Sequence, residues 1–348
     1  MAEKTIIIIH GRSTKPSASA HQKLIRAALL NGLQRIDIDA ARKVAAGEIK
    51  VEFAYYGDIN NRLMLYDDPE IISDLIASND EAYGMAPCRA AGPMARGIDR
   101  LATIKAHDIS AYKALLRQFD DNRWYDEVAS AVSGVASVTG LSEYVVKWAT
   151  ADMSQYLMTR KVGSEIRQRL QSHLKPALER GSDICLISHS MGCIVSYDVL
   201  WKYSRMSEYR ALQDSGSKVS LWLTLGCPLG EPGVRDNLYD ASERGGDRFP
   251  RNIIGNWVNM AAADDFVSHD RTMLGDFRDM LNFRYVDSIT DHEVYNFWAS
   301  RDELNPHNFY GYLDNPSVAR QISGWLNQNS NEETEVAPGA HHLEPAVA

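Results

Sequence analysis

The sequence is short of the features by which a chain usually announces a metal, a nucleotide or a membrane. It has four cysteines, Cys88, Cys185, Cys193 and Cys227. None form a Cys-x-x-Cys pair, which argues against a zinc site. Cys185 lies in an apolar run and reads as core, and Cys193 reads as helix packing. Free thiols and a reducing, cytoplasmic compartment are therefore expected. Phosphate cradles are missing too. The first apolar run is followed by Gly11-Arg12-Ser13-Thr14 rather than G-x-G-x-x-G, and Ser13-Thr14-Lys15 lacks the glycines of a P-loop. No charge-free run reaches the length of a bilayer crossing. Residues 128–149 come closest but contain Glu143 and Lys147, so at most transient membrane contact is expected there. The opening run, residues 5–9, is too short for a signal-peptide core and has no cleavage site. Positive charge is in deficit: Lys+Arg number 37 against Asp+Glu 46, a net charge of −9. That balance argues against nucleic acid as a partner. No internal repeat is found.

What remains is the composition of an ordinary globular protein. The 348 residues are 45% hydrophobic and 24% charged, enough to bury a large core without disulfide or metal staples. Residues 5–9 form a continuous β-branched run, as expected for a strand covered on both faces. Further strands are expected at 49–56, 183–187, 219–225, 253–260 and 283–289. Helices are expected at 21–36, 162–178, 192–203 and 318–326. This alternation implies an α/β fold with a mostly parallel central sheet and helices on both faces. Residues 60–159 break the rhythm. They hold no convincing strand, have breakers at Pro87, Gly92, Pro93 and Gly97, and carry helical patterns at 108–119 and 125–138. A large, mainly helical insertion is expected there, serving as a cap or lid over a core built from 1–59 and 160–327. Tyr144, Val145, Val146, Trp148, Tyr156 and Leu157 are candidates to line a pocket beneath it. From 328 on the sequence turns polar and acidic, and a disordered tail is expected.

The chemistry is concentrated where an apolar strand meets Ser188-His189-Ser190-Met191-Gly192 and then a helix. The pentapeptide resembles the nucleophile elbow G-x-S-x-G, with Ser188 in place of the first glycine. Such a turn lifts a serine hydroxyl above the strand ends and aims backbone N–H groups at the start of a helix, where the dipole favours an oxyanion. Ser190 is therefore the expected nucleophile, and Met191 N–H one oxyanion donor. A second signal is His10-Gly11, which closes the first strand.

Together these motifs resemble the α/β-hydrolase superfamily, in its lipase- and esterase-like branch, over most of the chain outside the insertion and tail. The resemblance implies a Ser…acid…His order and the following roles. The Arg12 N–H would complete the oxyanion hole, with His10 and Gly11 shaping the loop. Asp265, in an Asp-x-Val setting, is favoured as the acid over Asp264, and Asp270 is a weaker third choice. His307, on a loop before the last helix, is favoured over His269 and His292 as the base. The Gly226-Cys227-Pro228 loop would line the acyl or leaving-group side of the pocket.

The implied activity is hydrolysis of a carboxylic ester, including a lipid or other small acyl ester, through an acyl-enzyme and with no metal or organic cofactor. Thioesterase, amidase and acyltransferase chemistry would use the same groups. The rivals from other classes are a non-catalytic binding protein on this fold and an effector activated by a partner. Oligomeric state is not encoded in any motif.

Overall fold

The computed structural model describes residues 2–64, 68–83, 151–263, 265, 267–268, 272–296, 298–300 and 303–328. The segments expected to be helical at 108–119 and 125–138, the residues Tyr144 to Trp148, and the tail from 329 lie outside the described residues, as do Cys88, Asp264, His269 and Asp270.

The strand β1 (Lys4–Ile9) shows why the sheet forms as it does. Ile6 and Ile8 project to one face, Ile7 and Ile9 to the other, and none of the four has any exposed surface. Burying each such side chain contributes about 1.5–3 kcal/mol, so a strand this apolar is stable only at the centre of a sheet covered on both sides. It pairs with β2 (Lys50–Ala54) on one edge and β3 (Asp183–His189) on the other, both parallel. The strands β4 (Val219–Leu225), β5 (Ile254–Ala262) and β6 (Ser288–Val294) extend the sheet, giving the order β2-β1-β3-β4-β5-β6, all parallel.

Two layers of helix cover this sheet. On one face α1 (Ala18–Ile36) and α2 (Ile38–Ala46) lie with the C-terminal helices, described below, against Ile6 and Ile8. The other face carries α3 (Gly57–Met64), α5 (Ala151–Met158), α6 (Arg160–Glu179), α7 (Met191–Arg205), α8 (Arg210–Ser215), α9 (Pro232–Arg235), α10 (Met273–Asp276) and α11 (Arg278–Asn282), with Ile7 and Ile9 in its core. Between α3 and α5 stands α4 (Pro69–Tyr83), whose Asp80 accepts hydrogen bonds from Ser17 N–H and Oγ at 2.7 Å, at the start of α1. A short antiparallel pair, β7 (Ala299–Ser300) and β8 (Glu303–Leu304), precedes α12 (Phe309–Leu313) and α13 (Pro316–Asn327), which return to the α1 face.

The chain moves from β1 to β2 in one direction and from β3 to β6 in the other, and the connecting helices change face as the direction changes. That is what right-handed crossovers require. It leaves a crevice beyond the carboxyl ends of β1 and β3, where the direction reverses and where ligands of open α/β sheets bind.

Two expectations are corrected. Residues 283–287 do not begin a strand; they form the turn after α11, with Arg284 at φ 58°, and the strand starts at Ser288. Tyr156 and Leu157 do not line the cavity that opens onto Ser190. Tyr156 is buried on the α5–α7 side of the sheet with its hydroxyl on Asp198 at 2.6 Å, and Leu157 packs against the same core. Among the described residues no helix is long and apolar enough to cross a membrane. Cys185, Cys193 and Cys227 are buried free thiols.

Candidate active site

Ser190 occupies the turn between β3 and α7 at φ 54° and ψ −126°, a conformation that side chains other than glycine rarely adopt. Its neighbours explain how the turn is held. Ser190 N–H donates to Leu225 O at 3.0 Å, and its carbonyl accepts from Cys193 N–H at 2.9 Å. A Cβ on Gly192 would stand 2.5 Å from His10 O, so glycine is needed where α7 passes the end of β1. Ser188, in the place of the motif's first glycine, has room for its Cβ, and its hydroxyl is used: it bonds Ser196 Oγ at 2.8 Å and accepts from Trp222 Nε1 at 3.1 Å.

The serine is the first of three groups in a line. His307 Nε2 lies 2.8 Å from Ser190 Oγ, and His307 Nδ1 lies 2.8 and 2.9 Å from the two oxygens of Asp265. Asp265 follows β5, and its side chain is wholly buried. It also accepts from Tyr312 OH at 2.6 Å and from Val267 N–H at 2.9 Å. Burial works against a charge on Asp265, but its interaction with His307 and these donors outweigh it and hold the carboxyl below its usual pKa. Burial, then the neighbouring Asp265 carboxylate, pushes Tyr312 well above the usual phenol pKa, so it stays a donor.

The loop carrying His307 is fixed from several sides. Buried Asn296 donates to Pro306 O and to Asn308 O, each at 2.8 Å. Asn308 caps α12 by accepting from Tyr310 and Gly311 N–H, at 2.8 and 3.3 Å. His189 donates from Nε2 to His307 O at 2.8 Å and stacks on Phe309 with ring centroids 4.7 Å apart. Burial keeps His189 neutral, and the donation leaves its Nδ1 buried without a partner among the described residues.

The loop after β1 forms the opposite wall. His10 is fully buried between backbone groups: its Nδ1 donates to Gly11 O at 2.7 Å, and its Nε2 accepts from Tyr56 N–H at 3.0 Å. These bonds select one neutral tautomer, and burial, helped by the proximity of His21 and Lys15, lowers the pKa of His10 well below normal. Gly11 is required by contact, because a Cβ there would stand 2.7 Å from Ser190 Cβ. Ser13, at φ 72°, gives its N–H to Asp152 at 2.5 Å. Asn61 clasps Lys15 through both backbone groups, at 2.7 and 2.9 Å. Among the described residues, no acceptor is present for the backbone N–H of Met191 or of Arg12.

The residues favoured in the sequence thus stand together: Ser190, Asp265 and His307 in one hydrogen-bonded line, with Met191, Arg12, Gly11 and His10 around the serine. Asp264 lies outside the described residues. His292 is exposed on β6, opposite Met260 in β5. The Gly226 loop does not line the cavity; it backs the acid–histidine pair instead. Gly226 has φ 55°, and a Cβ there would stand 2.7 Å from Asp265 Oδ2 and 3.0 Å from His307 Nδ1. Tyr312, Asn296, Asp152 and Asn61 have no signature in the sequence, since each acts by reaching an element distant along the chain. Lys15 did stand out in the Ser13-Thr14-Lys15 run, which reads only as a failed P-loop.

Between the two walls lies a cavity of about 270 Å³ that opens onto Ser190 and His307. Among the described residues no group of three His, Cys, Asp or Glu side chains is placed to hold a metal. In comparisons with models of protein families, with curated proteins and with solved structures, no match to this chain was found.

Proposed function

We propose that this chain is a serine hydrolase of the α/β-hydrolase type, cleaving a carboxylic ester by two-step acyl transfer. The observation that carries the reading is the line Ser190 Oγ–His307–Asp265, with both contacts at 2.8 Å and the carboxylate buried behind the imidazole. A serine held at a strained turn, an imidazole on its hydroxyl and a buried acid on the far ring nitrogen are the three parts that nucleophilic catalysis by serine needs.

In the first step His307 Nε2 takes the Ser190 proton as Oγ attacks the acyl carbon. The carbonyl oxygen becomes an oxyanion beside the start of α7. Met191 N–H and Arg12 N–H are the donors free to receive it. Asp265 holds the Nδ1–H tautomer of His307 and stabilises the imidazolium. His307 then protonates the leaving alkoxide. Water, deprotonated by the same histidine, attacks the acyl carbon, and His307 returns that proton to Ser190 Oγ as the acid is released. Thioesters and amides would follow the same path, so the leaving group is a question for substrates rather than for the triad.

The test is hydrolysis of p-nitrophenyl esters of increasing acyl length by wild type and Ser190→Ala, with thioester and anilide analogues alongside. Turnover by the wild type alone supports the reading and ranks the leaving groups. No turnover of any member would favour a binding or partner-activated role for the same fold.

A further inference from the structure

The cavity in front of Ser190 has a one-sided wall. Among the described residues, no aspartate or glutamate lines it, whereas Arg12 and Lys15 do, together with histidines. Burial lowers the pKa of His10, His21 and His189 well below normal, so these rings add no charge. The charge of the wall therefore comes from Arg12 and Lys15.

The two cations are not equivalent. Lys15 Nζ is turned inward on its own loop, donating to Arg12 O, to Ser13 O at 3.2 Å and to Thr14 O at 3.4 Å. Its three hydrogens are thus committed to carbonyls, and it acts as a clasp that gives the loop one shape. The Arg12 guanidinium has no hydrogen-bond or ion-pair partner among the described residues. The carboxylates in electrostatic reach are Asp152 and Asp265, and each is committed elsewhere: Asp152 to Ser13 and Met153 N–H, Asp265 to His307 and Tyr312. Burial lowers the pKa of Arg12, and the attraction of those two acids only partly offsets it. A guanidinium in such a place lacks the planar, two-oxygen partner for which its fork of donors is shaped. Arg12 also follows Gly11, the residue pressed against Ser190, so an anion on this side chain would sit close to the attacked carbonyl.

We propose that Arg12 binds an anionic group of the substrate, a carboxylate or a phosphate, so that the preferred ester carries a second, charged group near the scissile bond. The proposal rests on the serine-hydrolase reading. It assigns two roles to one residue: the backbone N–H faces the oxyanion, and the side chain selects the substrate.

The test compares matched esters that differ in one charge, with kcat/KM read by proton release. The acyl side is probed with monoethyl against diethyl esters of succinate, glutarate and adipate. The leaving-group side is probed with butyryl glycolate against its ethyl ester, and phosphate with 2-butyryloxyethyl phosphate against 2-methoxyethyl butyrate. Each pair is run with wild type, Arg12→Gln and Arg12→Lys, and the ratio within a pair cancels any general loss of catalysis.

In at least one pair the wild type should favour the anionic ester by about tenfold or more, a typical effect of removing one partner of a buried charge pair. Arg12→Gln should bring that ratio near unity, and Arg12→Lys should keep part of it. The pair that responds tells carboxylate from phosphate and acyl side from leaving-group side. Turnover of neutral esters without preference in any pair, or a preference that survives Arg12→Gln, overturns the proposal and leaves the hydrolase reading standing. Labelling of Ser190 by a fluorophosphonate without turnover of any anionic ester overturns it as well. Absence of both turnover and labelling overturns the hydrolase reading, and the proposal with it.

Discussion

A serine hydroxyl is a poor nucleophile until a base is placed on its proton, and the contacts around Ser190 are arranged to that end. His307 reaches the hydroxyl at 2.8 Å, and its other nitrogen is occupied by a carboxylate whose pKa burial raises but whose contacts with His307, Tyr312 and Val267 hold it below normal. Ser190→Ala should therefore lower kcat by at least about a thousandfold while leaving the far-UV spectrum and melting temperature unchanged. Asp265→Asn should lose more activity than Asp264→Asn, and the reverse order in the same assay would move the acid to Asp264. Tyr312→Phe should cost less than either triad change, about tenfold in kcat, since it removes one donor to Asp265 and leaves the acid in place. It should also lower the melting temperature slightly, because Ala262 N–H loses the hydroxyl that accepts it at 2.8 Å.

At the scale of elements, the site depends on three backbones passing one another with no room for a methyl group. Gly11 lies against Ser190, Gly192 against the end of β1, and Gly226 against the acid and base. Gly226→Ala is the informative change: it pits a new Cβ against Asp265 Oδ2 at 2.7 Å at a residue with φ 55°. It should destabilise the fold by about 1–3 kcal/mol and reduce kcat far more than the stability loss accounts for, with KM nearly unchanged. Steady-state kinetics beside a denaturant melt would separate the two effects. The same elements show what a sequence can and cannot reveal. The run at residues 5–9 and the Ser188–Gly192 pentapeptide carry their meaning locally, because strand burial and a tight turn both dictate residue type over a few positions. The start of β6 is not legible because Phe283, Tyr285 and Val286 alternate as in a strand, and only the turn after α11, with Tyr285 O accepting from Asn252 N–H, decides otherwise. The role of the Gly226 loop is not legible either, because a sequence shows that a glycine is present, not which side chain it must clear.

For the whole molecule, the decisive fact is the sheet order, which brings residues 10–15, 188–192, 265 and 307 to one end of the sheet from widely separated parts of the chain. That convergence is legible in outline from alternating strands and helices, but the partner of each loop is not. The helix layer on the α7 side also contains buried acids that the site does not use. Asp198 takes Tyr156 OH at 2.6 Å, and Asp240 takes Tyr197 OH at 2.6 Å. Burial pushes each carboxyl up to about 6, against the hydrogen bonds that lower it. An acid with a raised folded pKa binds its proton more tightly in the folded state than in the unfolded chain. Its contribution to stability is therefore largest at low pH and falls as pH rises from the unfolded value toward about 6. Asp240→Asn keeps an acceptor for Tyr197 without the charge. Its melting temperature relative to wild type should rise as pH is raised from about 4 to about 6.5; a difference that is flat or falls across that range would show that the carboxyl is not burdened by burial.

The central claim, that Ser190 is a nucleophile activated by His307, is tested most directly by covalent labelling. Wild type, Ser190→Ala and His307→Ala would be treated with a fluorophosphonate and the intact mass followed with time. The expected result is a single adduct on wild type that maps to Ser190, none on Ser190→Ala, and labelling of His307→Ala slower by at least about a hundredfold. An unlabelled wild type, or equal labelling rates with and without His307, would contradict it.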